Sequence, residues 1–219
     1  MSDITIEACP ARDFQILLDG SPVKLPPGGR TLNGVRCYLE SLALEQQRIL
    51  CSFKVDGAPA EDGSAEPALA DFSKVEAITI ELEDLPLYLI GLAREQTRRA
   101  WNEALSAADL VAVEDCCLAR EFWWNLAIQL RQPLLTLNLV PETLCGATNG
   151  ATSISQLRKW QLQQLGTIIR DVDEACWSED AQVLLGAING RVLPWLENLQ
   201  RSLELLRETI ASAPVFARR

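Results

Sequence analysis

Seven cysteines and 30 acidic residues are the side chains with which this chain of 219 residues could do chemistry. The sequence contains no histidine, the side chain most often used as a general base or a metal ligand. Serine and cysteine triads of the usual type therefore cannot form within the chain. The cysteines have irregular spacing and no C-x-x-C pair occurs, so we expect small buried apolar side chains rather than zinc ligands.

Cys145 and two carboxylate pairs are the remaining candidates for catalysis. Cys145 lies in the loop "ETLCGAT" beside a glycine and threonines, but no histidine is present to activate it. Glu114-Asp115 are adjacent, and Asp171 and Glu174 are spaced i, i+3 and could approach a metal. The Glu-x-x-His pattern of di-iron bundles cannot be completed without histidine. We therefore expect no metal and no cofactor, with an enzyme that uses carboxylates or Cys145 as the alternative.

The pair Gly28-Gly29 precedes a predicted helix and raises the question of a phosphate-binding loop. Neither G-x-x-x-x-G-K-[ST] nor G-x-G-x-x-G occurs there, and no lysine follows. Glycine tolerates the positive φ that a chain reversal needs. The sequence therefore predicts only a turn.

The first 84 residues read as strands around one helix. Residues 14–18 and 23–25 predict a hairpin around a turn at residues 19–22, and residues 49–55 predict a strand ended by Asp56-Gly57. Thr31 is a plausible N-cap for a helix with an apolar face. In the last strand Ile78, Ile80 and Leu82 alternate with Thr79 and Glu81, so we expect the former to be buried and the latter to be exposed.

Roughly residues 12–84 resemble the β-grasp fold of ubiquitin and the small bacterial sulfur carriers. The resemblance rests on the opening hairpin, on "RTLNGVRCYLESL" as the single helix, and on "ILCSFKVDGAPA" followed by "FSKVEAITIELED". Members of that family end in an exposed Gly-Gly whose carboxylate is activated. Here the last strand continues through Glu83-Asp84 into more protein, so the resemblance implies the fold without the conjugation chemistry.

Residues 85–219 predict a bundle of about four helices. Asp84 and Pro86 mark the start of the first helix, Ser106 is either a second start or an interior position, and Pro133 should bend or end the helix that precedes it. A third long helix follows Ser153. The predicted apolar face in the region before Pro133 consists of Leu110, Val113, Cys117, Trp124, Ile128 and Leu135.

The last helix has the most regular periodicity. After a cap at residues 178–180, apolar residues recur every three or four positions along one face, with a kink expected at Asn189-Gly190 and Pro194. The members of this stripe are Leu184, Ile188, Val192, Trp195, Leu199, Leu203, Leu206 and Ile210.

All six tryptophans lie after residue 84. They indicate either a bundle core with large side chains or a partner-binding groove. Phe122, Trp123 and Trp124 are adjacent and therefore point in three directions around a helix, so one of them should face solvent or another chain. We take Phe122, Trp123, Trp124 and Trp195 as the candidate partner-binding residues.

The net charge of the chain limits the classes of partner that it can bind. The net charge is −10, which disfavours nucleic acid and anionic lipid. Residues 1–84 carry 15 acidic and 7 basic residues, a net charge of −8, which indicates either a solvated surface or a face for a basic partner. No apolar stretch approaches the roughly 20 residues that cross a bilayer, and the first residues lack the features of a signal peptide, so we expect a cytoplasmic protein without membrane insertion.

The sequence thus predicts an α+β protein with a β-grasp-like domain at residues 1–84 and a helical bundle at residues 85–219. The function we expect is non-catalytic: an interaction, adaptor or scaffold protein, in a narrower form an assembly or export chaperone, that binds a protein partner or itself as a homo-oligomer. A small-molecule binder inside the bundle is a further alternative to the enzyme.

Overall fold

A computed structural model describes residues 14–24, 31–60, 72–113, 116–140, 154–178 and 180–212 of the chain. The chain divides into two compact units, Met1–Asp84 and Leu85–Arg219. The predicted turn at Gly28-Gly29 lies outside the described residues, as do Glu114-Asp115, Cys145 and Ser153.

The described residues of the N-terminal unit form five strands and one helix. Their bounds are β1 Gln15–Leu18, β2 Ser21–Pro22, α1 Leu32–Glu45, β3 Arg48–Val55, β4 Ala58–Pro59 and β5 Lys74–Glu81, with a 3₁₀ turn at Leu82–Asp84. The helix begins as predicted, because the Thr31 hydroxyl accepts a hydrogen bond from the N–H of Gly34 at 3.2 Å.

Two hairpins in this unit have the dipeptide Asp-Gly at their turns. Asp19-Gly20 joins β1 to β2 with φ of 51° and 79°, and Asp56-Gly57 joins β3 to β4 with φ of 49° and 85°. Two successive positive φ values are the geometry of a type I′ turn, which Asp-Gly favours. The second hairpin includes β4, which the sequence did not predict because it is only two residues long and ends in proline.

The sheet order is β2-β1-β5-β3-β4, with β1 parallel to β5 and every other pair antiparallel. One helix, α1, lies between β2 and β3 in the chain and packs against β3. This arrangement confirms the predicted α+β class and the β-grasp-like form of the N-terminal unit.

The buried face of β5 is the opposite of the predicted one. Val75, Ala77 and Thr79 are buried and face the core around α1, whereas Ile78 is 49% exposed. Leu82 is also exposed and belongs to the 3₁₀ turn rather than to the strand. The prediction was wrong because both faces of this strand carry apolar residues. The face with the smaller side chains, Val75 and Ala77, belongs to the core that contains α1.

The C-terminal unit is helical throughout its described elements. The elements are α2 Leu85–Ala112, α3 Cys116–Gln129, α4 Gln132–Asn138, α5 Ile154–Trp177, α6 Ala181–Ala187, a π turn Ile188–Val192 and α7 Leu193–Ser212. Because α3 and α4 follow one another closely, as do α6 and α7, these elements form about four rods, as predicted. The helix α2 runs through Ser106, whose hydroxyl donates to the carbonyl of Asn102, so Ser106 is an interior position.

The last rod confirms the predicted stripe. Its members from Leu184 to Leu203 are buried, and Leu206 and Ile210 are partly buried against the same core. Near Pro194 the helix contains a π turn, in which the N–H of Leu193 donates to the carbonyl of Ile188, five residues earlier. Proline cannot donate to the carbonyl four residues before it, so the wider turn accommodates its position.

Within the described part of the chain, no helix combines the length and the apolar character needed to cross a membrane.

Candidate functional site

Helices α3 and α4 together form one rod that runs antiparallel to α2. Gln129 donates to the Glu103 carboxylate at 2.7 Å, and Thr136 donates to the side-chain oxygen of Gln96 at 2.9 Å. The two bonds lie seven residues apart on each partner and in opposite directions, so the rod stays aligned with α2 across its break. The break follows from Pro133 in the first turn of α4, because proline lacks the N–H that a continuous helix would donate to Gln129.

The buried side of this rod also contacts α5. The indole N–H of Trp123 donates to the Asp173 carboxylate at 2.7 Å, and Trp123 is only 1% exposed. Cys176 lies in the same region. Burial raises the pKa of its thiol, as does the negative charge of Asp173, and the positive charge of Arg120 offsets part of this effect. A raised pKa keeps the thiol protonated, so Cys176 is suited to packing and not to nucleophilic attack.

A second apolar face of the rod points to solvent. We call its four members, which are between 52% and 66% exposed, the outer stripe: Trp124, Ile128, Leu135 and Leu139. Their spacing is 4, 7 and 4. At 100° per residue along an aligned rod, these positions fall within about 60° of one another around its axis. They therefore form a single line of large apolar side chains.

The segment that carries the outer stripe has very little charge, although the exposed Glu121 lies one turn before Trp124. The 16 residues from Trp124 to Leu139 include one charged residue, Arg131, while 23% of the whole chain is charged. The other exposed polar side chains of this segment are Asn125, Gln132 and Asn138, which are amides. Ordinary protein surfaces carry roughly 25–35% charged residues, and charge depletion marks the centre of interfaces.

The apolar face predicted for this region is largely the solvent face. Val113, Trp124, Ile128 and Leu135 were expected to pack in the core and are all exposed. The side chains that fill the core come from the opposite face, and they are Ala119, Trp123, Leu126, Leu130, Leu134 and Leu137. The rod is thus apolar on two sides, and the bundle covers only one of them.

Of the four candidate partner-binding residues, the structure brings one to the outer stripe. Trp124 belongs to it, and Phe122, which is 37% exposed, lies on the other flank of the rod because two residues correspond to about 200°. Trp123 and Trp195, which were also taken as candidates, are buried in the core and lie away from the outer stripe. Ile128, Leu135 and Leu139 were missed as surface residues, although their regular spacing with Trp124 was visible in the sequence.

Clusters that could do chemistry are sparse in the described ranges. No group of three or more Cys, Asp or Glu side chains there could hold a metal ion. Asp171, one of the predicted carboxylate pair, instead forms ion pairs with Arg191 at 3.8 Å and with Arg170 at 3.9 Å.

Comparison of the chain with known protein families, with curated proteins and with solved structures finds no match.

Proposed function

We propose that this protein is a non-catalytic interaction protein, an adaptor or scaffold, that binds protein through the outer stripe of α3 and α4. The observation that supports this proposal is that the rod is apolar on two sides while the bundle covers one. Trp124 and Ile128 extend the outer stripe along α3, and Leu135 and Leu139 continue it along α4.

The energy available at this surface fits specific association. The exposed fractions of the four side chains correspond to about 500 Å² of surface. This lies within the roughly 300–600 Å² of the largest apolar patch on a typical monomer, a patch that is often functional. At about 25 cal/mol per Å², covering it would contribute on the order of 12 kcal/mol before the costs of association are subtracted. Those costs are of similar size, so the stripe alone supports a moderate affinity.

The charge distribution adds selectivity to this proposal. The N-terminal 84 residues have a net charge of −8, whereas residues 85–219, with 15 acidic and 13 basic residues, have a net charge of −2. The acidic N-terminal unit repels acidic proteins and nucleic acids. The nearly neutral helical unit can bind a partner through apolar contacts.

A capture experiment with matched variants tests the proposal. The outer-stripe variant Trp124→Gln/Leu139→Gln removes two exposed apolar side chains, and the control Trp177→Gln/Leu205→Gln removes two others of similar type that are 81% and 65% exposed. Tagged wild type and both variants are cross-linked in the native cell, and captured proteins, including untagged copies of this chain, are quantified by mass spectrometry. We expect the stripe variant to lose proteins that wild type and control retain. The same set of proteins in all three samples would refute the proposal.

A further inference from the structure

The spacing of the outer stripe, 4, 7 and 4 residues, is symmetric about its midpoint. This symmetry bears on which partner can cover the stripe. Trp124 and Leu139 lie at its ends, Ile128 and Leu135 lie inside them, and the midpoint of both pairs falls between Arg131 and Gln132. A two-fold interface requires that if one residue contacts a second, the second contacts the first on the other copy. An antiparallel pair of such rods meets this requirement at every position of the stripe.

Resting on the proposed function, we infer that the occupant of the outer stripe is a second copy of this chain, related by a two-fold axis through the midpoint of the rod. In this pairing Trp124 packs against Leu139 of the other copy, and Ile128 packs against Leu135 of the other copy. The rods lie antiparallel at about 8–10 Å, the usual distance between packed helices.

The area of the stripe agrees with a dimer of this kind. With about 500 Å² of exposed surface on each copy, complete covering of the four side chains removes at most about 1,000 Å² from water, the size of a weak or transient interface. The exposed amides Asn125, Gln132 and Asn138 border the stripe and form a polar rim. We therefore expect a reversible dimer rather than a permanent one.

Arg131 makes the inference specific, because it is the one charged residue of the segment and it lies at the axis. The Arg131 side chains of the two copies lie on the same flank of the paired rods and approach each other there. Like charges at this distance weaken a homodimer of wild type or of Arg131→Glu. A dimer of wild type with Arg131→Glu instead places opposite charges across the axis and is favoured over both homodimers.

The experiment uses purified full-length chain in sedimentation equilibrium and native mass spectrometry. We expect wild type to reach twice its 24.2 kDa with rising concentration, and Trp177→Gln/Leu205→Gln to do the same. Trp124→Gln/Leu139→Gln should remain monomeric at concentrations at least tenfold higher, with an unchanged circular dichroism spectrum. A wild type that stays monomeric, or a stripe variant that dimerises like wild type, would overturn the inference.

Mixing wild type with Arg131→Glu tests the position of the axis. We expect the mixed dimer to be enriched about threefold or more over the statistical ratio, as for an opposed charge pair at a partly covered surface. The control is Arg201→Glu on α7, which should show no enrichment, because the pairing does not place Arg201 near the axis. Equal mixing in both cases would overturn the two-fold geometry. A monomer by sedimentation together with stripe-dependent capture of other proteins would refute self-association and leave the proposed function standing.

Discussion

The carboxylate of Asp19 accepts two hydrogen bonds from Thr79, one from its backbone N–H at 2.7 Å and one from its hydroxyl at 2.6 Å. Thr79 is buried in β5, and Arg48 donates to its hydroxyl oxygen at 2.6 Å and to its carbonyl at 3.0 Å. Asp19 lies in the β1–β2 turn. These bonds therefore tie the turn of the first hairpin to the central strand of the sheet and satisfy the polar groups at that end of the core.

The bond between Asp19 and Thr79 predicts a loss of stability in acid. Burial raises the pKa of Asp19, but the two hydrogen bonds from Thr79 and the charge of Arg48 outweigh this, and the net pKa lies below its ordinary value. Because the folded pKa is below the unfolded one, the contribution is present above about pH 4 and is lost as pH falls through the folded pKa. Asp19→Asn keeps a residue suited to the turn and removes the charge.

We expect Asp19→Asn to lower the free energy of unfolding by about 1 kcal/mol at pH 7, since hydrogen bonds to a partly exposed charge contribute about that much. The difference from wild type should narrow below about pH 4. Denaturant titrations at a series of pH values measure it, and Glu45→Gln, at an exposed carboxylate of α1, serves as the control. If the difference in free energy of unfolding between Asp19→Asn and wild type did not depend on pH, the charge of Asp19 would not be its cause.

The contact between Trp123 and Asp173 predicts a specific cost for losing one hydrogen bond. Trp123→Phe keeps most of the buried ring but removes the indole N–H that donates to Asp173. We expect the free energy of unfolding to fall by about 2 kcal/mol, because a small cavity forms and the carboxylate loses a partner in a partly buried region. Trp177→Phe, at an 81% exposed position, should change it by less than about 0.5 kcal/mol. Equal effects of the two substitutions in urea denaturation would contradict this expectation.

The amide of Gln161 predicts a stabilising substitution. Gln161 is fully buried on α5, and although its nitrogen donates to Asn198 at 3.1 Å, its oxygen has no hydrogen-bond partner among the described residues. A methionine of similar length would fill the same space without an unpaired buried oxygen. We expect Gln161→Met to raise the free energy of unfolding by about 1 kcal/mol, and Gln164→Met, at an exposed position of the same helix, to leave it within about 0.5 kcal/mol. A lower stability of Gln161→Met would contradict this.

Local signals in the sequence were sufficient for much of the fold. Asp19-Gly20 lies in the predicted turn after β1, although the partner strand is Ser21–Pro22 and not residues 23–25. Asp56-Gly57 ends β3, Thr31 marks the start of α1, and Pro133 marks the break between α3 and α4. These predictions succeeded because turn geometry, caps and proline act through the backbone of a few adjacent residues.

The sequence by itself therefore determined where the chain turns, caps and breaks, and which residues share a face. The tertiary structure alone decided which face is covered. Thr79 rather than Ile78 faces the core, and Trp123 rather than Trp124 packs between the helices. The physical reason is that periodicity relates residues to one another along an element but not to the neighbouring elements. Where both faces of an element are apolar, the neighbouring element that packs against it determines which face is buried.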